Sequence, residues 1–203
     1  MTSQFNYPRF TPSEGNLTSI IQKEYIDNLI KNGKLPPDAF SNNQIISLIA
    51  SNNIEDKVYF WQLYSIMGGK PIKVLIQKFY ENIFNDDEEP WFRDEFVEIG
   101  DIDYHVDGQL RFWLDVMGGG KHYIGGEKKL HLKHKLVKNI MTTEGANRWM
   151  KHMKDALVIF KKIKNLDIRI VDCIDKFLYF FMTKYSMEFD FNVFEITRLH
   201  SKL

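Results

Sequence analysis

Cysteine is almost absent from this sequence, since Cys173 is the only one among 203 residues. A single cysteine cannot form an intramolecular disulfide, and it excludes zinc or iron–sulfur sites built from several cysteine ligands. This usage is typical of a reducing compartment. Cys173 stands beside Ile174 in an apolar stretch, which predicts a buried thiol rather than a nucleophile, because no sequence neighbour would lower its pKa.

Net charge and long apolar runs are also absent. The 27 basic and 27 acidic side chains cancel, so no whole-molecule field favours nucleic acid or an anionic membrane. No apolar run reaches the ~20 residues that a membrane span needs. The N-terminal sequence has neither a secretory apolar stretch nor an arginine-rich transit pattern. We expect a soluble protein of an intracellular, reducing compartment, cytoplasmic or mitochondrial.

Apolar residues recur at helical spacing in four long segments, and no segment shows the alternation of a strand. The four segments are residues 71–83, 101–117, 142–163 and 167–185. In the first, Pro71 stands at a first-turn position and an apolar stripe follows it. That stripe consists of Ile72, Leu75, Ile76, Phe79, Tyr80 and Ile83. The pattern predicts an all-α fold.

Extensions flank this helical region. Residues 1–61 predict an N-terminal extension of short helices separated by proline- and asparagine-rich breakers. Residues 188–203 form a C-terminal tail with several apolar side chains. Apolar groups outside a compact domain favour docking to protein partners. We therefore predict a central domain over 62–187 with two possible docking segments.

Five motifs follow one another through the central domain. They are LYSIMGGKPIKVLIQKFYENIF, LRFWLDVMGGGKHY, LHLKH, TTEGANRWMKHMKDAL and FLYFF. In this order they resemble the truncated haemoglobins, the small two-on-two globins, over residues 62–187. The resemblance implies a globin-like fold that holds b-type haem and binds a diatomic gas, oxygen or nitric oxide. The resemblance also implies that, with an electron donor, such a haem protein could catalyse nitric oxide dioxygenation or peroxidase-like chemistry.

The resemblance implies that His134 is the proximal iron ligand. Leu130 and His134 match the family's Leu-x-x-x-His, and a neutral imidazole is a strong fifth ligand that leaves the opposite face of the haem open. Lys133 takes the place of a basic residue that could reach a haem propionate. His131 is the rival ligand or a neighbour facing solvent.

On the distal side, Tyr80 matches a tyrosine whose hydroxyl donates to the ligand, and Trp149 matches a tryptophan that offers its indole N–H. Both have a polar handle that needs a partner when buried. Tyr123 lies in the glycine-rich loop that the family shares. Phe79, Phe92 and Phe96 are candidate pocket walls, with ordinary core packing as an equal alternative.

The distal helix has two possible registers. If the family's Gly-Gly corresponds to Gly118 and Gly119, the distal positions are His105 and Gln109, a polar pair able to bond a ligand. If the apolar pattern decides, the positions are Val106 and Leu110. We prefer the second register, because Leu110 lies on the apolar face of this helix.

Two further patterns have plainer interpretations. The acidic run at residues 86–89 is typical of a solvated turn between helices. His152 stands among lysines, which predicts an exposed side chain outside any metal site. The alternative to a haem protein is a haem-free globin-fold accessory subunit of a larger assembly, for instance a mitochondrial membrane complex, because helix packing does not require the cofactor.

Overall fold

The structure is a computed structural model. It describes residues 24, 27–28, 30–33, 49–52, 58–119, 123, 132, 134–135, 137, 139–163 and 166–192. The tail beyond residue 192, His131 and Lys133 lie outside the described residues, as does most of the N-terminal extension. The predicted boundaries of the central domain stay predictions.

Helices dominate the described residues. A short 3-10 helix, Phe60–Gln62, leads into α1 at Leu63–Met67. The longer helices are α2 (Gly69–Phe84), α3 (Pro90–Ile99), α4 (Ile102–Val116), α5 (Thr143–Phe160) and α6 (Ile168–Phe189). The only strand-like pairing in this part of the chain is one isolated bridge between Ala50 and Tyr59. The predicted all-α class is confirmed.

Helix ends follow local chemistry. In α3, Pro90 occupies the first turn, where its missing N–H is not needed. In α5, the Thr142 hydroxyl caps the helix by accepting the Gly145 N–H at 3.1 Å. Between the predicted helical segments 71–83 and 101–117 lies the helix α3, which the sequence pattern did not predict.

The predicted apolar stripe of α2 is buried. Its buried residues are Ile72, Leu75, Ile76, Phe79, Tyr80 and Ile83. None of the helices in the described part of the chain combines the length and apolar character of a membrane-spanning segment.

The chain divides into two compact units. The first contains residues 1–72, 111–123 and 163–177. Within it, Phe60 stacks on Phe177 with ring centroids 3.9 Å apart, and Trp113 meets both rings edge-on. Cys173 is fully buried and donates to the Ile49 carbonyl at 3.4 Å, and burial raises the pKa of its thiol well above the ordinary value. The prediction of a buried thiol is confirmed.

A glycine ends α4 in this first unit for a steric reason. Gly118 has a φ of 84°, which lies in the left-handed region that favours glycine. A Cβ at this position would overlap the carbonyl oxygen of Trp61. Both the backbone angle and the close approach of the chain therefore require glycine.

The second unit contains residues 73–110, 124–162 and 178–203. It includes most of α2, all of α3 and α5, the first part of α4 and the end of α6. Nearly all the side chains that the sequence nominates for a functional site belong to this unit.

Candidate functional site

A buried hydroxyl on α2 meets an amide on α4. The Tyr80 hydroxyl donates to Oε1 of Gln109 at 2.7 Å. Tyr80 is 7% exposed, and burial raises the pKa of its phenol above the ordinary value, so the hydroxyl keeps its proton. Because the amide oxygen accepts from Tyr80, the NH2 group of Gln109 is left for another acceptor.

His105 lies one turn before Gln109 and stacks on the Tyr80 ring, with centroids 5.2 Å apart and 28° between the planes. Its Nε2 lies 2.9 Å from the Phe96 carbonyl oxygen. A carbonyl only accepts, so Nε2 carries the proton and donates it. In this conformation His105 Nε2 has no lone pair to offer to a metal.

The contacts of Tyr80 bear on the register of α4. They join Tyr80 to His105 and Gln109, whereas Val106 is buried and Leu110 is half-buried. The preferred pair, Val106 and Leu110, gains no support from the hydrogen bond of Tyr80. The assignment of the distal residues stays a prediction.

The aromatic candidates divide into two groups. Phe79 lies 4.9 Å from Tyr80 and 4.7 Å from Trp149 between ring centroids, and Phe96 meets Tyr80 edge-on at 6.2 Å. Phe92 instead packs against Phe96 and stacks on His152 at 5.9 Å. Phe79 and Phe96 are therefore direct neighbours of Tyr80, and the described contacts place Phe92 one layer away.

His134 contacts α6. Its Nδ1 and the hydroxyl of Tyr185 lie 3.3 Å apart at hydrogen-bond distance, and the two ring centroids are 4.4 Å apart. Leu132, His134 and Lys135 have helical backbone, and Val137 does not. Engagement of Nδ1 makes Nε2 the ring nitrogen that would take a metal.

Tyr123 belongs to the first unit rather than the second. Its backbone N–H donates to Asp115 Oδ2 at 3.1 Å, and its ring meets Phe112 edge-on. The structure thus gives Tyr123 neighbours that are not among the other candidates.

A buried charge cluster in the second unit contradicts two expectations. Asp86 is 1% exposed at its side chain, and it accepts from Arg148 Nε at 2.6 Å and from His152 Nε2 at 2.7 Å. A second Arg148 nitrogen also donates to it. At the surface, Oε2 of Glu88 accepts hydrogen bonds from Arg148 and Lys151. We call these five residues the Asp86 cluster.

The expected solvated turn is therefore wrong for Asp86, and the expected exposed side chain is wrong for His152, which is 6% exposed. Burial by itself raises the pKa of Asp86, but the hydrogen bonds from Arg148 and His152 outweigh it and hold that pKa well below the ordinary value. One signal was available in the sequence. His152 stands three residues after Trp149 and four before Ala156, at the edge of the buried face of α5.

No three histidine, cysteine, aspartate or glutamate side chains converge as metal ligands within the described residues. A single half-buried imidazole such as His134 therefore has no companions for a protein-only metal site there. It suits haem, because the porphyrin itself provides the four equatorial ligands and the protein needs to add one. The residues present fit this cofactor.

The all-α fold of the described residues is that of a globin-like protein. The sequence model of the bacterial-like globins matches residues 62–182, which is more than half of the chain. The chain belongs to the bacterial-like globin family, and the resemblance to truncated haemoglobins is confirmed.

Proposed function

We propose that this globin holds b-type haem through Nε2 of His134 and binds a diatomic gas on the opposite face. Bound haem would supply an iron with one position open to a ligand such as oxygen or nitric oxide. The remaining contribution of the chain is to hold the imidazole, exclude water and present hydrogen-bond donors. Lys133 is the proposed partner of a haem propionate.

The observation that carries this proposal is the hydrogen bond between Tyr80 and Gln109. The Tyr80 hydroxyl lies on the buried stripe of α2, where a polar group is costly unless it is paired, and its partner is the half-buried amide of Gln109 on α4. The phenol fixes the amide with its oxygen toward Tyr80. The amide NH2 of Gln109 then serves as the donor to a ligand that carries partial negative charge.

In this proposal the Tyr80 hydroxyl orients Gln109 by donating its hydrogen bond to the amide oxygen, and Trp149 adds an indole edge beside Phe79. His105 stacks on the Tyr80 ring, and its Nε2 donates to the Phe96 carbonyl oxygen, so in this proposal His105 Nε2 does not bind the iron. The proposed distal register is therefore His105 and Gln109, with Val106 and Leu110 contributing apolar surface.

Haemin titration of the purified chain tests haem binding. We expect a Soret band in the wild-type chain that His134→Ala weakens strongly. His105→Ala is the matched control, and it should leave the band in place because His105 is not an iron ligand in this proposal. A wild-type chain without a band, or a band that is indifferent to His134→Ala, would overturn the proposal.

Ligand release tests the distal residues. Loss of one hydrogen bond removes about 1 kcal/mol, so Gln109→Leu should release oxygen roughly five to ten times faster in stopped-flow measurements. Tyr80→Phe should have a smaller effect in the same direction, because it frees the amide to rotate. Gln77→Leu, on the exposed face of α2, is the control and should leave the rate unchanged.

The accessory-subunit alternative is tested separately, since it concerns residues 1–61 and 188–203. If it holds, native-size fractionation of cell extract will find the chain in a large complex that removal of residues 1–60 abolishes. A stable monomer in the extract would count against it. The same extract, tested for a haem absorption band, decides whether docking and haem binding coexist.

A further inference from the structure

Tyr185 on α6 presents a buried phenol to His134. Tyr185 is 6% exposed, and its hydroxyl oxygen is 3.3 Å from His134 Nδ1. A buried phenol usually has a hydrogen-bond partner. In a neutral imidazole, when one ring nitrogen donates a hydrogen bond, the other ring nitrogen keeps the lone pair. The Tyr185 hydroxyl is therefore placed where it can pair with Nδ1 of His134 and leave Nε2 as the ring nitrogen for a metal.

The Tyr185 ring is itself held by neighbours on the same face of α6. Phe181 and Phe189 stand one turn before and one turn after it, with ring centroids 5.6 Å and 6.1 Å away. The Tyr185 ring also packs on the His134 imidazole at 30°. Three aromatic contacts thus fix the ring, so the hydroxyl oxygen is held at one position beside Nδ1 of His134.

We infer that Tyr185 is the positioning residue for the proximal imidazole, accepting the Nδ1–H of His134 and directing the Nε2 lone pair to the iron. This inference rests on the proposed function. Partners that orient a metal-bound histidine raise its basicity as well as fixing its ring. A phenol is a neutral acceptor, so the imidazole it holds stays neutral instead of moving toward the imidazolate that a carboxylate favours.

The direction of the hydrogen bond between Tyr185 and His134 depends on whether Nε2 of His134 binds a metal. If Nε2 gave its lone pair to a haem iron, the proton of the neutral ring would be on Nδ1, and the Tyr185 oxygen would accept the hydrogen bond from Nδ1–H. In the opposite tautomer the phenol donates to Nδ1 and Nε2 carries the proton, which blocks ligation. The phenol can pair with either tautomer, so Tyr185 acts by holding the His134 ring in place, and its oxygen accepts the Nδ1–H only in the ligating form.

Tyr185→Phe tests this inference because it keeps the ring contacts and removes only the hydroxyl. We expect a haemin dissociation constant about tenfold higher, which is the lower end of the effect of removing such a partner. Resonance Raman spectra of the reduced, haem-loaded chain should show the iron–histidine stretch at lower frequency, and the reduction potential should rise. Tyr179→Phe, at a more exposed tyrosine of α6, is the control and should change none of these.

A double-mutant cycle shows whether Tyr185 acts through His134. In a His134→Ala background, Tyr185→Phe should have no further effect on haemin affinity, whereas a purely structural role would persist. Far-ultraviolet circular dichroism, compared with Tyr179→Phe, checks that the helices are intact.

The outcomes separate the two proposals. A wild-type chain that binds haemin through His134, with Tyr185→Phe unchanged in affinity, stretch and potential, overturns the role of Tyr185 alone. A wild-type chain that binds no haemin overturns the proposed function and the role of Tyr185 together. An effect of Tyr185→Phe that persists in His134→Ala also overturns the role of Tyr185.

Discussion

Substitution of Asp86 by asparagine should destabilise the protein through its partners in the Asp86 cluster. Asp86 Oδ2 accepts from Arg148 Nε and His152 Nε2, while Oδ1 accepts the backbone N–H groups of Glu88 and Glu89 at 3.2 Å. An asparagine can keep the backbone bonds through its oxygen. Its NH2 group then faces two donors, and an arginine cannot become an acceptor.

The magnitude follows from burial. Breaking a buried ion pair by removing one partner costs about 3–5 kcal/mol, because the remaining charge is left without compensation. Arg148 is 13% exposed at its side chain and keeps Glu88 at 3.0 Å, and His152 can switch tautomer to accept. Both effects offset part of the loss, so we expect about 3 kcal/mol, or about 6–12 °C in Tm.

Asp87→Asn is the matched control one residue away. The Asp87 side chain is 92% exposed and pairs with Arg93 at 2.8 Å in solvent, so its loss should change stability by less than about 0.5 kcal/mol. Urea unfolding followed by circular dichroism measures both variants. If Asp86→Asn unfolds within about 0.5 kcal/mol of Asp87→Asn, then the cluster is not the buried anchor that its geometry indicates.

Acid should remove the contribution of Asp86. Its folded pKa lies well below that of an unfolded aspartate, about 3.9, so the stabilisation is complete above the unfolded value and is lost as pH falls through the folded value. The urea concentration at the unfolding midpoint should decrease as the pH is lowered below about 4, and it should decrease less steeply in Asp86→Asn. An equal dependence of the midpoint on pH in the two proteins would contradict this. Gly118→Ala should lower Tm through left-handed strain, at about 1–2 kcal/mol, plus overlap with the Trp61 carbonyl; a Tm equal to wild type would show that the turn relaxes. Thr142→Ala should cost about 1 kcal/mol by removing the cap of α5, and an unchanged urea midpoint would mean that another group caps the helix.

The helices were predictable because their signals are local. The α2 stripe from Ile72 to Ile83 is buried as its spacing predicts. The N-cap of α5 is Thr142, the first residue of the predicted segment 142–163, and threonine is a favourable capping residue. The helix α3 was missed because its ten residues, short and rich in both aromatic and charged side chains, provide too few turns for a clear period.

The site was predictable only in part. The family motifs nominated Tyr80, Trp149 and His134, and the structure gives each an aromatic neighbour in the second unit. The preference for Val106 and Leu110 followed the apolar face of α4. The apolar face indicates which residues of α4 are shielded from water. It does not indicate which side chain of α4 accepts the hydrogen bond of Tyr80.

The sequence by itself determined the helical class and the family, and it nominated His134 as the candidate proximal imidazole, because periodicity and short motifs are properties of neighbouring residues. Only the tertiary structure decided that Tyr80 bonds Gln109, 29 residues away, that His134 meets Tyr185, 51 residues away, and that His152 is buried on Asp86, 66 residues away. Hydrogen-bond partners at such separations depend on where helices cross. Burial requires each polar group to have a hydrogen-bond partner. Which residue becomes that partner is decided by how the helices pack.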